Sequence, residues 1–249
     1  MDRESSGDPR RTIELLWGVP GPPRRGPKPK LAVPDVVRAG VRVADADGLA
    51  AVTMRRVAEE LGVATMSLYT YLPGRDELLE LMLDHAHGEL PGGLPDGWRA
   101  GLTAVAEDLW QLYHRHPWLL ELRGGRPTLG PHTFAKYERE LAAMDGLDLD
   151  DVQLDAIVSL VNGLVAGAVR GSLDAAAARS SGMTDVIWWG RSAPVLAEIP
   201  AADPAHFPRA SRVGSAAGAA HGGPSDPEHH FRFGLERILD GIGQLAGQG

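Results

Sequence analysis

The segment from Thr53 to Leu72 constrains the fold of this chain more than any other, because it predicts two short helices joined by a tight turn. Thr53 is a residue type that caps the N-terminus of a helix, and Gly62 is one that ends a helix in a left-handed turn. The two predicted helices cover residues 54–61 and 64–72. Their length and spacing are typical of a helix-turn-helix, with a helical hairpin inside an ordinary bundle as the alternative.

The remainder of the chain also has helical periodicity, and no segment shows the sustained alternation of a half-buried strand. We therefore predict an all-α fold, with a three-helix helix-turn-helix domain over residues 31–83 and a helical bundle over residues 84–249. Four prolines between positions 22 and 29 exclude a helix, so residues 1–30 are predicted to be a flexible basic arm. Residues 200–227 are rich in Pro, Gly, Ala and Ser and are predicted to be a disordered loop. The other helices are expected near residues 34–46, 76–90, 97–115, 117–122, 131–145, 149–179, 184–199 and 227–245.

Charge is unevenly distributed along the chain. The formal net charge is −8, but residues 1–75 carry 12 basic and 9 acidic side chains, whereas residues 76–249 carry 13 and 24. Between Pro22 and Arg42 six basic residues face a single acid, Asp35. A basic N-terminal part on an acidic body indicates a nucleic-acid partner.

The residue types that are missing exclude several other classes of protein. There is no cysteine, which excludes disulfide scaffolds, Cys-ligated zinc and thiol nucleophiles. The first residues lack the apolar core of a signal peptide, and the most apolar stretch, 157–169, is shorter than a membrane span. We therefore expect a soluble, cytoplasmic protein with no membrane partner.

The second predicted helix presents side chains suited to DNA. Leu68 and Leu72 are positioned to be buried, which turns hydroxyl and aromatic groups outward. Such groups can reach base edges, thymine methyl groups and phosphates. These outward residues are Thr65, Met66, Ser67, Tyr69, Thr70 and Tyr71.

The order of residues from Ala58 to Leu79 resembles the DNA-binding motif of TetR-family transcriptional regulators, and the match extends over about residues 34–83. This resemblance implies that Arg55 reaches a base, with a bidentate bond to guanine as the expected contact. It also implies that Ser67, Tyr69, Thr70 and Tyr71 form the contact set of the recognition helix, and that Arg75 contacts a phosphate. Thr53 can offer its hydroxyl to a phosphate at the helix N-terminus.

The basic arm is an addition that the motif does not require. Its basic residues could lie in a minor groove, as the arms of homeodomains do, or form a solvated linker. They are Arg24, Arg25, Lys28 and Lys30.

A weaker resemblance to the ligand-binding domain of tetracycline repressors covers about residues 84–173. It rests on Arg126-Pro127-Thr128, on residues 137–142 and on the long helix with Ser159, Gly163 and Gly167. We therefore expect the second domain to bind a small molecule, although each aromatic or polar residue is also compatible with a place in the core or an interface. The residues themselves suggest Trp110, Tyr113, His114, Phe134, Tyr137, Asn162, Trp188 and Trp189, and the resemblance adds His87, Val105, Leu109, Arg126 and Glu140.

Two departures from the tetracycline repressors change the expected effector. Leu122 stands where the family has a metal-holding histidine, and Val105 stands where it has a drug-binding amide. Recognition of a tetracycline–Mg²⁺ complex is therefore not expected, although His87 is kept. We predict a more apolar or differently decorated effector, and no cofactor or metal ion.

Small residues recur every four positions along the long predicted helix, at Ser159, Gly163, Gly167 and Gly171. Such a stripe lets another helix approach closely, and the last helix offers an apolar face through Leu235, Ile238 and Ile242. We predict that both form a homodimer interface, with packing inside one chain as the alternative.

These features together predict a homodimeric repressor that binds a near-palindromic operator and is released by a small-molecule effector, with residues 76–90 as the hinge. One alternative is a DNA-binding regulator controlled by a protein partner or by no effector. Another is a small all-α enzyme, but no Ser–His–Asp order, phosphate-binding glycine loop or carboxylate pair supports it.

Overall fold

The computed structural model describes residues 9–19, 31–122, 127–223 and 225–247 of the 249-residue chain. Over these residues the fold is all-α, as predicted, and contains no strand. The helices are α1 (Pro9–Leu16), α2 (Val33–Asp47), α3 (Met54–Leu61), α4 (Thr65–Leu68), α5 (Arg75–His87), α6 (Trp98–Arg115), α7 (Pro131–Ala142), α8 (Asp151–Ser180), α9 (Asp185–Ala197), α10 (Pro208–His221) and α11 (Pro227–Ala246).

The chain forms two compact units. The first contains the residues up to Asn162 and the last few from Leu245, and the second contains Gly163–Gln244, so the division falls inside α8. The border predicted at residues 83 and 84 falls inside α5. This helix packs on both α2 and α7, and it therefore belongs equally to the helices around the helix-turn-helix and to the helices that come after them in the chain.

The helix-turn-helix has the local structure that its capping residues predict. The Thr53 hydroxyl oxygen accepts a hydrogen bond from the Arg56 backbone N–H at 3.1 Å. Gly62 ends α3 with a φ of 66°, a conformation that costs glycine little. Helices α2, α3, α4 and α5 surround one apolar core. Its members exposed by 1% or less include Val36, Val43, Val57, Leu68, Leu72 and Leu78.

The second helix of the motif is shorter than predicted. Only Thr65–Leu68 is α-helical, and the chain continues in turns in which the Thr70 and Tyr71 N–H groups bond to the carbonyls of Ser67 and Leu68. The Pro73-Gly74 pair after these turns cannot continue a helix, so the helix ends here in a mixture of i→i+3 and i→i+4 bonds.

The N-terminal segment is not an arm over its whole predicted length of residues 1–30. Pro9–Leu16 forms α1, Leu16 is buried, and the Trp17 indole N–H donates to the Leu129 carbonyl at 2.9 Å. The Trp17 ring also lies 6.1 Å from that of Phe134, between centroids. This short helix is stabilised by tertiary contacts of its apolar residues with α5 and α7. The proline-rich composition of the neighbouring residues gave no sign of these contacts.

The prediction of a disordered loop over residues 200–227 is also corrected by the presence of a helix. Residues 208–221 form α10, and Gly222 ends it in the left-handed conformation at a φ of 67°. The segment is rich in alanine, the residue with the highest helix propensity, and this outweighs its low complexity.

Helix α8 is 30 residues long and, by length and composition alone, apolar enough to cross a membrane. The predicted apolar stretch of residues 157–169 therefore lies within a longer helix, and its shortness does not exclude a span. The fully or nearly buried side chains recur at i, i+4 along one face, which is typical of a core helix in a globular protein. They include Ile157, Val161, Val165 and Val169.

Candidate DNA interface and effector cavity

The exposed side of α4 carries the side chains predicted to contact DNA. Met66 is 75% exposed and Tyr69 is 46% exposed, while Leu68 and Leu72 are buried beneath them. Ser67 and Thr70 are also exposed, whereas Thr65 and Tyr71 are half-buried. The described structure thus presents the predicted set on one surface, and the role of each residue in DNA contact stays a prediction.

Helix α3 adds two groups next to this surface. The Arg55 side chain is 83% exposed, and its Nε donates to Glu59 Oε1 at 2.9 Å. An ion pair this exposed is weak, so the guanidinium can exchange the carboxylate for a base or a phosphate. The Thr53 hydroxyl caps α3 as an acceptor and can still donate its own hydrogen.

Arg75 has a different environment from the one predicted. Its Nε donates to the Val52 carbonyl at 2.6 Å and its Nη2 donates to the Leu49 carbonyl at 3.1 Å. These bonds fasten the start of α5 to the turn before α3. Arg75 therefore positions the helix-turn-helix, and its predicted phosphate contact would have to use the remaining guanidinium hydrogens.

A network of ion pairs that sequence reasoning missed joins α3 to α2. Arg56 bonds to Glu60 at 3.1 Å and to Asp47 at 3.2 Å, and Arg42 bonds to Glu60 at 3.2 Å. The hydrogen bonds from Arg56 and Arg42 lower the pKa of the Glu60 carboxyl. The i, i+4 spacing of Arg56 and Glu60 was a visible signal. The predicted arm contacts, Arg24, Arg25, Lys28 and Lys30, lie outside the described residues.

A cavity of about 350 Å³ lies in the first unit, between the C-terminal end of α5, the end of α6, α7 and the first turns of α8. Five residues predicted to bind a ligand line it: His87, Tyr113, Tyr137, Glu140 and Asn162. Apolar walls complete it and include Leu122, the residue at the position of the metal-holding histidine. The remaining lining residues are Leu83, Leu119, Pro127, Thr128, Thr133, Lys136, Asp155, Val158 and Ser159.

The other predicted ligand contacts are placed elsewhere. Val105 and Leu109 are 2% and 1% exposed. Their i, i+4 spacing places both on the same face of α6, and this face packs into the core. The Trp110 ring lies 4.6 Å from that of His114, between centroids, and Phe134 is half-exposed against Trp17.

Three further predicted contacts lie away from the cavity. Trp188 and Trp189 are exposed on α9 in the second unit. Arg126 lies outside the described residues.

The inner part of the cavity holds a buried ion pair. Lys136 Nζ lies 2.5 Å from Glu140 Oε1 and 3.3 Å from Asn162 Oδ1, and both charged side chains are almost entirely buried. Sequence reasoning missed Lys136, although its i, i+4 spacing to Glu140 was visible. Among the described residues no three His, Asp or Glu side chains are grouped to hold a metal ion.

His87 forms the neighbouring polar group. Its Nδ1 lies 2.9 Å from the Thr133 hydroxyl oxygen. Burial, assisted by the positive charge of Lys136, lowers the pKa of His87 from 6.5 to about 4. The imidazole is therefore neutral at pH 7 and can exchange both donor and acceptor bonds with a ligand.

The lowered pKa of His87 predicts a loss of stability in acid. The unfolded chain takes up the histidine proton below pH 6.5 and the folded chain only near pH 4, so the free energy of unfolding should fall between these values. The full effect is about 3 kcal/mol, because one pKa unit corresponds to about 1.4 kcal/mol. Urea unfolding of the wild type and of His87→Gln at pH 7 and pH 4.5 measures it. An equal loss in both proteins would contradict the assignment.

Helices α5 and α7 are joined by a second buried carboxylate. Asp84 is 4% exposed, and its Oδ1 accepts the Thr133 backbone N–H at 2.8 Å while its Oδ2 lies 3.0 Å from His132 Nδ1. A carboxylate at this position caps the N-terminus of α7 from another helix. A Cβ at Gly130 would overlap it, so this approach requires glycine.

A polar junction ties α2 to the end of α6. His116 is 3% exposed, and its two ring nitrogens lie 2.7 Å from Asp45 Oδ1 and 3.1 Å from Glu89 Oε2. The Trp118 indole N–H also donates to Asp45 Oδ1 at 2.7 Å. Burial acts to raise the pKa of Glu89, but hydrogen bonds from Arg115 and His116 outweigh it and the pKa is lowered.

The residues predicted at a dimer interface separate into two groups. Gly163 and Gly167 are exposed, and a Cβ on either would meet no atom within 4 Å. Leu235 and Ile242 are buried within the chain and Ile238 is half-buried, because α11 turns its apolar face inward.

Two further stripe residues are engaged within the chain. Gly171 lies against Pro227, and Ser159 lines the cavity. Packing inside one chain, the alternative to a dimer interface, therefore explains the positions of Leu235, Ile242 and Gly171.

The matches to known proteins cover both parts of the chain. Residues 36–82 match bacterial regulatory proteins of the tetR family, and residues 90–245 match the tetracyclin repressor-like C-terminal domain. The HTH-type transcriptional repressor DrrR1 of Streptomyces coeruleorubidus is 43% identical, over 99% of this chain and 90% of that protein.

Solved structures agree with these matches. The Streptomyces coelicolor TetR family protein ActR in complex with actinorhodin has a TM-score of 0.71, and in complex with (S)-DNPA a TM-score of 0.68. Both are 26% identical and cover 88% of this chain, and this chain covers 97% and 99% of theirs. The chain therefore belongs to the TetR family of transcriptional regulators, with the helix-turn-helix of α3 and α4 as its DNA-binding motif.

Proposed function

We propose that this chain is a homodimeric, cytoplasmic repressor that binds a near-palindromic operator and leaves it when a small molecule fills the cavity. The proposed function is regulatory and involves no catalysis. Support for effector control comes from the cavity and from ActR, whose structures hold actinorhodin and (S)-DNPA.

The course of α5 is the observation that carries the proposal. Near its middle, Met82 packs so closely on Gly40 of α2 that a Cβ there would lie 2.7 Å from the Met82 sulfur. The residues that follow in α5 face the cavity side: Leu83 and His87 line the cavity, and Asp84 caps α7. A ligand that moves the end of α5 therefore acts on the packing of the DNA-binding helices. Its binding shifts the population from the state that binds the operator to a state that does not.

The two DNA-binding motifs of the proposed dimer must enter successive major grooves, about 34–36 Å apart. The His116 junction offers a second route from the effector side to α2. In this mechanism the effector favours a dimer in which the two motifs are spaced differently. The free energy of effector binding is therefore coupled to a loss of operator affinity. The basic residues of segment 20–30 are proposed to contact the minor groove beside each motif.

The test is fluorescence anisotropy of a labelled duplex from the DNA upstream of the protein's own gene. Saturable binding that weakens steeply with salt is expected, because phosphate contacts release counterions. Compounds found by a thermal-shift screen, with actinorhodin as the first probe, are expected to release the duplex. Intact DNA binding with no compound active would instead favour control by a protein partner or by no effector.

The exposed glycines of α8 yield a prediction for the dimer. The wild type is expected to have twice the 26.5 kDa mass of one chain, and Gly167→Arg is expected to have the mass of a single chain. An arginine on this open face leaves the fold of one chain intact and blocks close approach of a second helix. Light scattering after size exclusion measures the mass. Gly93→Arg, at another open glycine, is the control, and a dimeric Gly167→Arg would place the interface elsewhere.

A further inference from the structure

We propose that the effector carries a protonated amine on an apolar, aromatic body, and that Asp155 is the residue that selects this charge. The inference rests on the proposed function, since it assumes that the cavity is the effector site. It concerns the sign of charge that the cavity accepts and the side chain responsible.

The charges of the described residues that line the cavity do not balance. Among these residues, the charged side chains at neutral pH are Lys136, Glu140 and Asp155, because His87 is uncharged there. Lys136 and Glu140 are 2.5 Å apart and almost fully buried, so they neutralise one another. Asp155, which is exposed, is left with one negative charge that no other described residue of the cavity lining compensates.

The surroundings of Asp155 increase the negative potential at this side of the cavity. The Tyr137 hydroxyl donates to Asp155 Oδ1 at 2.9 Å. This hydrogen bond raises the pKa of Tyr137, and the charges of Asp155, Glu140 and Asp151 add to the rise. One bond leaves most of the acceptor capacity of a carboxylate unused, because its two oxygens offer about four lone-pair sites.

The chemistry of the walls defines the rest of the ligand. Tyr137 is 37% exposed, so the face of its ring is accessible to a cation held by the neighbouring carboxylate. Leu83, Leu119 and Val158 provide an apolar surface for a planar ring system. A ligand carboxylate would face Asp155, and it would have to replace Glu140 at Lys136 and leave that carboxylate buried without its partner.

The test uses three probes that share one ring system: 9-(aminomethyl)anthracene, its N-acetyl derivative and anthracene-9-carboxylate. Fluorescence titration of the full chain at pH 7 is expected to show that the amine binds about tenfold or more tightly than the other two, which is the range of a charge-assisted hydrogen bond. The same preparation is tested for operator binding in parallel.

Substitution assigns the preference to one side chain. Asp155→Asn keeps an acceptor for Tyr137 and removes the charge, so the preference for the amine is expected to disappear. Asp174→Asn removes the same charge from an exposed position of α8 and is expected to retain the preference. Thermal unfolding of each variant confirms that it is folded.

Three results would overturn the proposal: tighter binding of the carboxylate, an amine preference that survives Asp155→Asn, or no binding of any probe up to about 1 mM by protein that binds its operator. A preparation that fails to bind DNA at all contradicts the proposed function instead. The two failures are therefore distinguishable in one set of measurements.

Discussion

Replacing Tyr69 by alanine is expected to weaken operator binding by about ten- to hundredfold, and replacing Arg55 as well should multiply the loss. A good contact to a base is worth about 1–3 kcal/mol, and each side chain is proposed to make one. Both project from the surface, Tyr69 at 46% exposure and the Arg55 side chain at 83%. Their removal therefore leaves the packing of Leu68 and Leu72 untouched.

Anisotropy titrations at two salt concentrations measure this loss for Tyr69→Ala, for Arg55→Ala and for the double variant. Losses that add in free energy indicate independent contacts. Phe207→Ala is a matched control, because it removes a ring that is 56% exposed and lies outside both α8 and α11. If Tyr69→Ala and Arg55→Ala bind the operator as tightly as the wild type, the assignment of the DNA interface is wrong.

Gly130→Ala is expected to destabilise the first unit by roughly 2–4 kcal/mol, from overpacking and the loss of a helix cap. The new Cβ overlaps the Asp84 carboxylate, which is buried and bonded to the Thr133 N–H and to His132. Asp84 has no room to move without leaving a buried charge unsatisfied or uncapping α7. The expected fall in melting temperature is about 5–15 °C for a chain of this size.

Gly92→Ala provides the comparison for this experiment. Gly92 lies in the loop before α6, and a Cβ there meets no atom within 4 Å. Its melting temperature is expected to stay within about 2 °C of the wild type, as surface substitutions usually do. Equal melting temperatures for the two variants would show that the α5–α7 contact is not as tight as the geometry requires.

The helix-turn-helix was predictable because its determinants are local. Thr53 and Gly62 act on the backbone beside them, and Leu68 and Leu72 follow a helical period. Segments that depend on distant partners were not predictable in this way. Helix α1 is held by Leu129 and α5, far along the chain, and the alanine-rich α10 was hidden by a composition typical of loops.

The cavity was predictable only in part, for the same reason. His87, Tyr137 and Asn162 stood out as polar or aromatic residues in apolar surroundings, and the structure brings them together. Val105 and Leu109 match family positions, but the rotation of α6 turns them into the core. Asp155 was not predicted, because the role proposed for it depends on its hydrogen bond with Tyr137 and on the cavity beside it rather than on its neighbours in sequence.

The docking of α1 has a consequence for the helices beside the cavity. Helix α1 packs on α5, and Trp17 contacts the Leu129 carbonyl and the Phe134 ring of α7. A helix of eight residues is not stable in water by its own propensity, so the order of α1 depends on the placement of both helices. A change in the spacing of α5 and α7 would therefore loosen α1, and hydrogen exchange of its amides would report that spacing from outside the cavity.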